Sequence, residues 1–365
     1  MIIKEEEVLQ ALSNVMDPDL GKDLVTLGMI QDLSIAENKI AFSVVLTTPA
    51  CPLKEMLRKD CLNAIDGLGL DGIEVDINMT SSVTSARMEN LPILPNVKNL
   101  IAIASGKGGV GKSTVTSNLA VALSKTGAKV GIIDADIFGP SIPTMFGCED
   151  VQPTVEKVED KTWIIPIEKY GVKLISIGFL SPGDNAIVWR GPMASSALKQ
   201  FITDTNWGEL DYLLFDLPPG TSDIHLTLVQ TIPVTGAIVV TTPQKVALAD
   251  ASKGISMFQQ PQINVPVLGI IENMAYFTPD ELPDNRYYIF GKDGGKQLAE
   301  KSNVAFLGEI PIVQSIRESG DEGEPVALKD EISAEAFMDL AQNLAQQIAI
   351  RNASLEKTKV VEVNQ

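Results

Sequence analysis

The 365-residue sequence predicts an α/β protein: a mainly parallel sheet flanked by helices, preceded by a small α+β domain. Three observations carry this expectation. From residue 99 to 351, short all-apolar runs alternate with segments of helical period, the pattern of strands buried on both faces between crossover helices. Residues 1–90 mix helical and strand spacing without that alternation. Between the two regions, Asn90-Leu-Pro-Ile-Leu-Pro-Asn96 places two prolines in seven residues and reads as a linker over 91–98.

In chain order, the spacing predicts a helix at Glu5–Val15, a turn at Asp17-Pro-Asp-Leu-Gly21, a strand at Ile40–Leu46, a helix at Lys54–Ile65 and a strand at Ile73–Met79. After the linker, strands are expected at Leu100–Ala104, Val130–Ile133, Val172–Ile175, Tyr212–Phe215, Ala237–Thr241, Val267–Ile271 and Ala305–Leu307. Helices fill Lys112–Thr126, Ala194–Thr203, Ala247–Gln259, Gly295–Lys301 and Ala334–Ile350. Residues 352–365 are polar and aperiodic, and are expected to form a disordered tail.

The charge balance narrows the partners. With 29 basic and 47 acidic residues the net charge is −18, which argues against capture by nucleic acid or an anionic membrane. The amino terminus has no apolar leader core, and the longest apolar runs are far short of the roughly 20 residues of a membrane helix. A cytoplasmic protein is expected. Three cysteines, Cys51, Cys61 and Cys148, cannot build a secreted disulfide framework.

The strongest chemical signal is Ser105-Gly-Lys-Gly-Gly-Val-Gly-Lys-Ser-Thr114, between an apolar strand and a helix. Gly106, Gly111, Lys112 and Ser113 have the spacing of a phosphate-binding loop. Backbone N–H groups of Gly106, Lys107, Gly108, Gly109, Val110, Gly111, Lys112, Ser113 and Thr114 can curl around phosphates, helped by the positive helix start. Lys112 is expected to reach the terminal phosphates of ATP, and the Ser113 hydroxyl to ligate Mg2+. Two apolar strands end in carboxylates, at Asp134-Ala-Asp136 and at Asp216-Leu-Pro-Pro-Gly220. Asp216 is read as the carboxylate that orients Mg2+ or its water, and the Pro-Pro-Gly turn after it suits a phosphate-sensing switch.

Lys107 lies inside the loop, and Lys107 to Ser113 resembles the deviant Walker A pattern of the MinD/ParA-like ATPases. The resemblance implies that Lys107 reaches across a nucleotide-sandwich homodimer to the partner's phosphates; a solvated loop lysine is the alternative. Further runs resemble the Mrp/ApbC family of iron–sulfur cluster carrier ATPases: Asp134-Ala-Asp-Ile-Phe-Gly-Pro-Ser141, Trp189-Arg-Gly-Pro-Met193, Asp216-Leu-Pro-Pro-Gly-Thr-Ser-Asp223, Glu272-Asn-Met274 and Tyr288-Ile-Phe-Gly291. Val15-Met-Asp-Pro-Asp-Leu20 and Thr47-Thr-Pro-Ala-Cys-Pro-Leu53 resemble the small SufT-type domain carried by many members.

This resemblance implies an ATPase acting in iron–sulfur assembly, with apoprotein clients or assembly proteins as partners. By position, Asp136 takes the role of the carboxylate that sets the attacking water. Asn273 takes that of the adenine reader, with Pro311 packing near the base; for Asn273 a plain turn residue is the alternative. The family's C-x-x-C motif, whose thiolates hold a 4Fe–4S cluster between subunits, has no counterpart: Asn273 to Phe290 contains no cysteine. Cys51 precedes a helix start, where a thiol pKa can be lowered, and the SufT-like resemblance places a functional cysteine there. Cys61 reads as a core residue, and His225 as a polar contact beside the second switch. An ATP-switched scaffold that carries no cluster is the competing reading.

Overall fold

In the amino-terminal part of the chain, the apolar stripes of two helices pack with a small sheet. The computed structural model describes residues 4–36, 38–69, 72–87, 93–159, 161–180, 190–279, 281–282, 284–329 and 332–361. The chain divides into two units, 1–84 with 349–355, and 85–348 with 356–365.

The first unit runs α1 (Glu5–Leu12), β1 (Met16–Asp17), β2 (Lys22–Asp23), β3 (Ile30–Ala36), β4 (Lys39–Leu46), α2 (Lys54–Asp66) and β5 (Glu74–Ser81). Its sheet has the order β3-β4-β5, antiparallel then parallel. Val8, Leu12, Phe42, Val44, Leu57, Cys61 and Ile77 share its core. β3 escapes the sequence pattern because its register slips between Gln31 and Ser34, and Asp32 sits at φ 53°, so the two-residue alternation breaks.

The second unit contains β6 (Val97–Ser105), α3 (Lys112–Lys125), β7 (Val130–Asp134), α4 (Ile142–Met145), β8 (Thr154–Val158), β9 (Lys161–Ile165), β10 (Ile167–Lys169), β11 (Val172–Ser176), α5 (Gly191–Thr203), β12 (Leu210–Asp216) and α6 (Asp223–Thr231). It continues through β13 (Gly236–Thr241), α7 (Lys245–Gln259), β14 (Val267–Glu272), α8 (Gly294–Ser302), β15 (Phe306–Glu309) and α9 (Gln314–Asp321); α10 (Ile332–Ser354) follows, with its last turn grouped in the first unit. The main sheet has the order β10-β11-β7-β12-β6-β13-β14-β15. Only the edge strand β10 is antiparallel.

Because the strands are parallel and buried on both faces, they read as unbroken apolar runs, and their carboxyl ends share one edge of the sheet. Ser176 lies beside Asp134 in the β11–β7 register, and Asp134 beside Asp216 in β7–β12. The neighbouring strand on the other side, β6, delivers the glycine loop.

Two expectations are corrected. β6 begins at Val97, inside the segment read as linker, because Val97 pairs in register with Leu210. The tail is also more ordered than its aperiodic sequence predicts. α10 runs to Ser354, Thr358 is buried with its N–H on the Ala86 carbonyl, and Val361 N–H donates to Val229 O. Val229 is four residues before Pro233, which has no N–H to offer, so the tail satisfies a carbonyl the helix cannot. The exposed β8–β9 hairpin was not expected either, since β8 has no buried face to produce alternation.

Candidate functional site

The loop from Ser105 to Gly111 leaves the end of β6 and turns into α3. Two glycines show why no other residue serves. A Cβ on Gly106 would lie 2.1 Å from the backbone carbon of Asp250 in α7. Gly111 sits at φ 80°, and a Cβ there would meet Asn273 Nδ2 at 2.2 Å. The loop bounds a cavity of about 210 Å³, lined among others by Lys107, Gly109, Lys112, Ser113, Asp136 and Pro219.

Around Asp216 the donors converge. Lys112 Nζ stands 2.8 Å from Asp216 Oδ2 and 3.9 Å from Asp136 Oδ2. Ser113 Oγ donates to Asp216 Oδ2 at 2.6 Å, and Thr116 Oγ1 to Asp216 Oδ1 at 2.6 Å. Asp216 is fully buried, so a partnered, hydrogen-bonded carboxylate is the arrangement that makes its burial tolerable.

Asp134 is equally buried, and it braces the loop that follows β7. Its Oδ1 accepts the N–H of Asp136, and its Oδ2 accepts Ser176 Oγ at 2.9 Å and the N–H of Ile142. Burial, with the charge of Asp216 adding, pushes its carboxyl up to about 7. Asp136 is also raised, chiefly by burial, with Lys112 opposing. A carboxylate of raised pKa is a better proton acceptor, as the water-setting role asks.

Lys107 is exposed at the mouth of the cavity. Asn273 packs against the glycine loop. Its Nδ2 donates to the Val110 carbonyl at 2.9 Å and its Oδ1 accepts the Met274 N–H, so the amide braces the glycine loop from behind. Pro311 lies where the chain after β15 runs beside 275–277. His225 Nδ1 accepts the Ser222 N–H, which leaves Nε2 carrying the proton, buried and without a partner among the described residues.

No cysteine is among the residues lining the cavity. Cys61 and Cys148 are buried, and Cys51 lies half-buried against the core of the first unit. Burial pushes the Cys51 thiol up, with Asp17 and Asp19 adding. That corrects the activated thiol expected from its place before α2: packing outweighs the helix start. Trp189 and Asp280 lie outside the described residues.

Sequence reasoning missed Thr116 and Ser176 as members of the site. Ser176 left no signal, because its meaning comes from strand register. Thr116 left a weak one, a hydroxyl three residues after Ser113 on the same face of α3.

A strand, glycine loop and helix whose lysine and hydroxyl face two strand-end carboxylates define a P-loop nucleotide-binding protein. The chain belongs to the NUBPL iron-transfer P-loop NTPase family, which it matches over residues 96–348. Residues 5–81 match a second family, described as iron–sulfur cluster assembly protein. An iron–sulfur cluster carrier protein of Synechocystis sp. is 44% identical over 355 residues, covering 96% of this chain and 99% of its own length. One from Escherichia coli is 44% identical, covering 94% of each. Among solved structures, a nucleotide-binding protein from Archaeoglobus fulgidus in complex with ADP is 41% identical, covering 65% of this chain and 90% of that one, with a TM-score of 0.56. Among the described residues, no helix is long and apolar enough to cross a membrane.

Proposed function

We propose that the protein is a cytoplasmic MgATP-hydrolysing ATPase of iron–sulfur cluster assembly, acting as a nucleotide-sandwich homodimer. The observation that carries this reading is the convergence of Lys112, Ser113 and Asp216 beneath the glycine loop, with Asp136 3.9 Å from Lys112 Nζ.

The donor set suits Mg2+, being one hydroxyl and one carboxylate oxygen beside a phosphate loop. Among the described residues, no three His, Cys, Asp or Glu side chains are placed to hold a metal ion by themselves, so phosphate oxygens and water would complete the shell, as is usual for Mg2+. When bound, the ion neutralises charge on the phosphates. Lys112 then exchanges part of its ion pair with Asp216 for the β- and γ-phosphates. Asp136 orients the attacking water in line, and Lys107 supplies positive charge to the partner's nucleotide.

Exposure supports the dimer. Phe138, Val246 and Ile289, each in a segment that follows the carboxyl end of a sheet strand, are 61%, 62% and 59% exposed. Apolar surface of that kind is suited to burial between copies. The family names and the relatives' names support an iron–sulfur role, for which apoprotein clients or assembly proteins are the proposed partners.

As cargo, a bridging cluster does not fit the usual segment. Residues 273–290 contain no cysteine, and hard carboxylates there are poor substitutes for thiolates. Phe277 and Tyr287 pair as an antiparallel bridge, and Arg286 lies 4.1 Å over the Tyr276 ring while bonding to Glu309. That observation favours a second reading, an ATP-switched scaffold that recruits assembly partners without holding a cluster. Phosphate release by the purified full chain with ATP and Mg2+ tests what both readings share. Turnover lost in Lys112→Ala supports it, and turnover unchanged in that variant overturns it.

A further inference from the structure

Asp216 has two oxygens with different duties. Oδ2 is met by Lys112 Nζ and Ser113 Oγ, both of which line the cavity, and both donors change partners when a Mg2+-nucleotide binds under the reading above. Oδ1 faces α3 and meets Thr116 Oγ1 at 2.6 Å. Thr116 is fully buried and does not line the cavity, so a ligand does not displace its contact.

A threonine inside a helix ordinarily bonds back to the carbonyl four residues earlier. Here that carbonyl, of Lys112, lies 3.0 Å from Thr116 Oγ1. One hydroxyl has one proton, and the shorter bond to a charged acceptor takes it. The Thr116 hydroxyl is therefore turned toward the carboxylate. The backbone of Asp216 is held separately, its carbonyl accepting the Ala135 N–H at 2.9 Å. Rotation of the carboxylate group is the freedom left, and Thr116 is the contact that restrains it from outside the cavity.

We infer that Thr116 is a positioning residue for the metal-facing oxygen of Asp216, fixing the carboxylate plane so that Oδ2 is presented to the Mg2+ of a bound nucleotide. The inference rests on the Mg2+-nucleotide reading of the site and extends it to a residue outside the phosphate-loop motif. Without the hydroxyl, Oδ1 is buried without its donor and the carboxylate turns to share Ser113 and Lys112 between both oxygens.

The test uses the full chain with a fluorescent ADP analogue, titrated with Mg2+ and separately in EDTA, alongside steady-state ATP turnover. Thr116→Val keeps the shape and removes the donor, Thr116→Ala is a second donor-less variant, and Thr116→Ser restores the hydroxyl. Both donor-less variants should need about tenfold more Mg2+ for half-saturation, the effect of one lost charge-assisted bond. Their affinity in EDTA should match the parent's and their kcat should fall, while Thr116→Ser returns to within about twofold of the parent's Mg2+ requirement. Parent-like Mg2+ dependence in a donor-less variant overturns the inference and leaves the nucleotide site standing. Equal loss in EDTA and Mg2+, unrescued by serine, also overturns it and assigns Thr116 to packing. A parent chain that binds no nucleotide overturns both.

Discussion

Lys112 Nζ and Asp216 Oδ2 form an ion pair at 2.8 Å, with 6% of the lysine side chain and none of the aspartate exposed. A lysine that is expected to hold phosphates is thus neutralised inside the protein, where neither charge is tolerable alone. Phosphate binding and carboxylate release are then linked: an anion that draws Lys112 forward frees Asp216 Oδ2 for a cation. Under the proposed function, the same ion pair couples the metal to the phosphate.

Lys107 has no such partner among the described residues. Exposed at the cavity mouth, it is available to a neighbouring copy. Lys107→Ala should retain nucleotide affinity while turnover falls by about a thousandfold or more, the range of a trans-acting cation in phosphoryl transfer. Equilibrium binding and phosphate release, measured on one preparation, check this. Undiminished turnover would remove Lys107 from the mechanism.

Gly106 is a steric requirement. Its absent Cβ is where the backbone of α7 passes, and that backbone cannot give way like a flexible side chain. Gly106→Ala should lower stability by about 2 kcal/mol or more in urea unfolding, through overpacking, and weaken nucleotide binding with it. Unfolding at the parent's midpoint would contradict the packing described here.

His225 is the only histidine in the sequence, and burial lowers its pKa to about 4. The unfolded chain therefore binds more protons than the folded one between about 6.5 and 4, so this group's contribution falls as pH falls through that window. Asp134, raised to about 7, works the other way, its contribution falling as pH rises toward 7. Comparing parent with His225→Gln isolates the first effect. The parent should lose about 1.5 kcal/mol more than the variant between pH 6.5 and 5, read from urea unfolding at each pH. Parallel pH profiles would show that His225 is not buried as a neutral ring.

Iron and sulfide supplied anaerobically should build no four-thiolate cluster on this chain, and Cys51→Ala should behave like the parent. Two of the three cysteines are buried, and burial holds the third above its ordinary pKa. A stoichiometric cubane spectrum lost in Cys51→Ala would reinstate Cys51 as a ligand.

What was legible in the sequence follows from period and from local chemistry. The parallel strands and the glycine loop announce themselves, because a strand buried on both faces is a continuous apolar run and a phosphate loop is contiguous. β3 did not, since the irregularity at Asp32 breaks its alternation. The orientation of Asn273 toward Val110 and of Thr116 toward Asp216 depends on which elements the fold brings together, and no local spacing encodes that. For Cys51 the place before a helix was visible, while the packing that raises its thiol pKa was not.

The proposed site is composite, with Asp136 acting within its own subunit and Lys107 on the partner's nucleotide. Mixing purified Lys107→Ala with Asp136→Ala tests it most directly, each variant being nearly inactive alone. After subunit exchange half of the dimers are mixed, each with one complete site, so phosphate release should recover to about a quarter of the parent rate. A mixture that stays as inactive as its components, although the variants bind ATP and exchange subunits, would contradict the account.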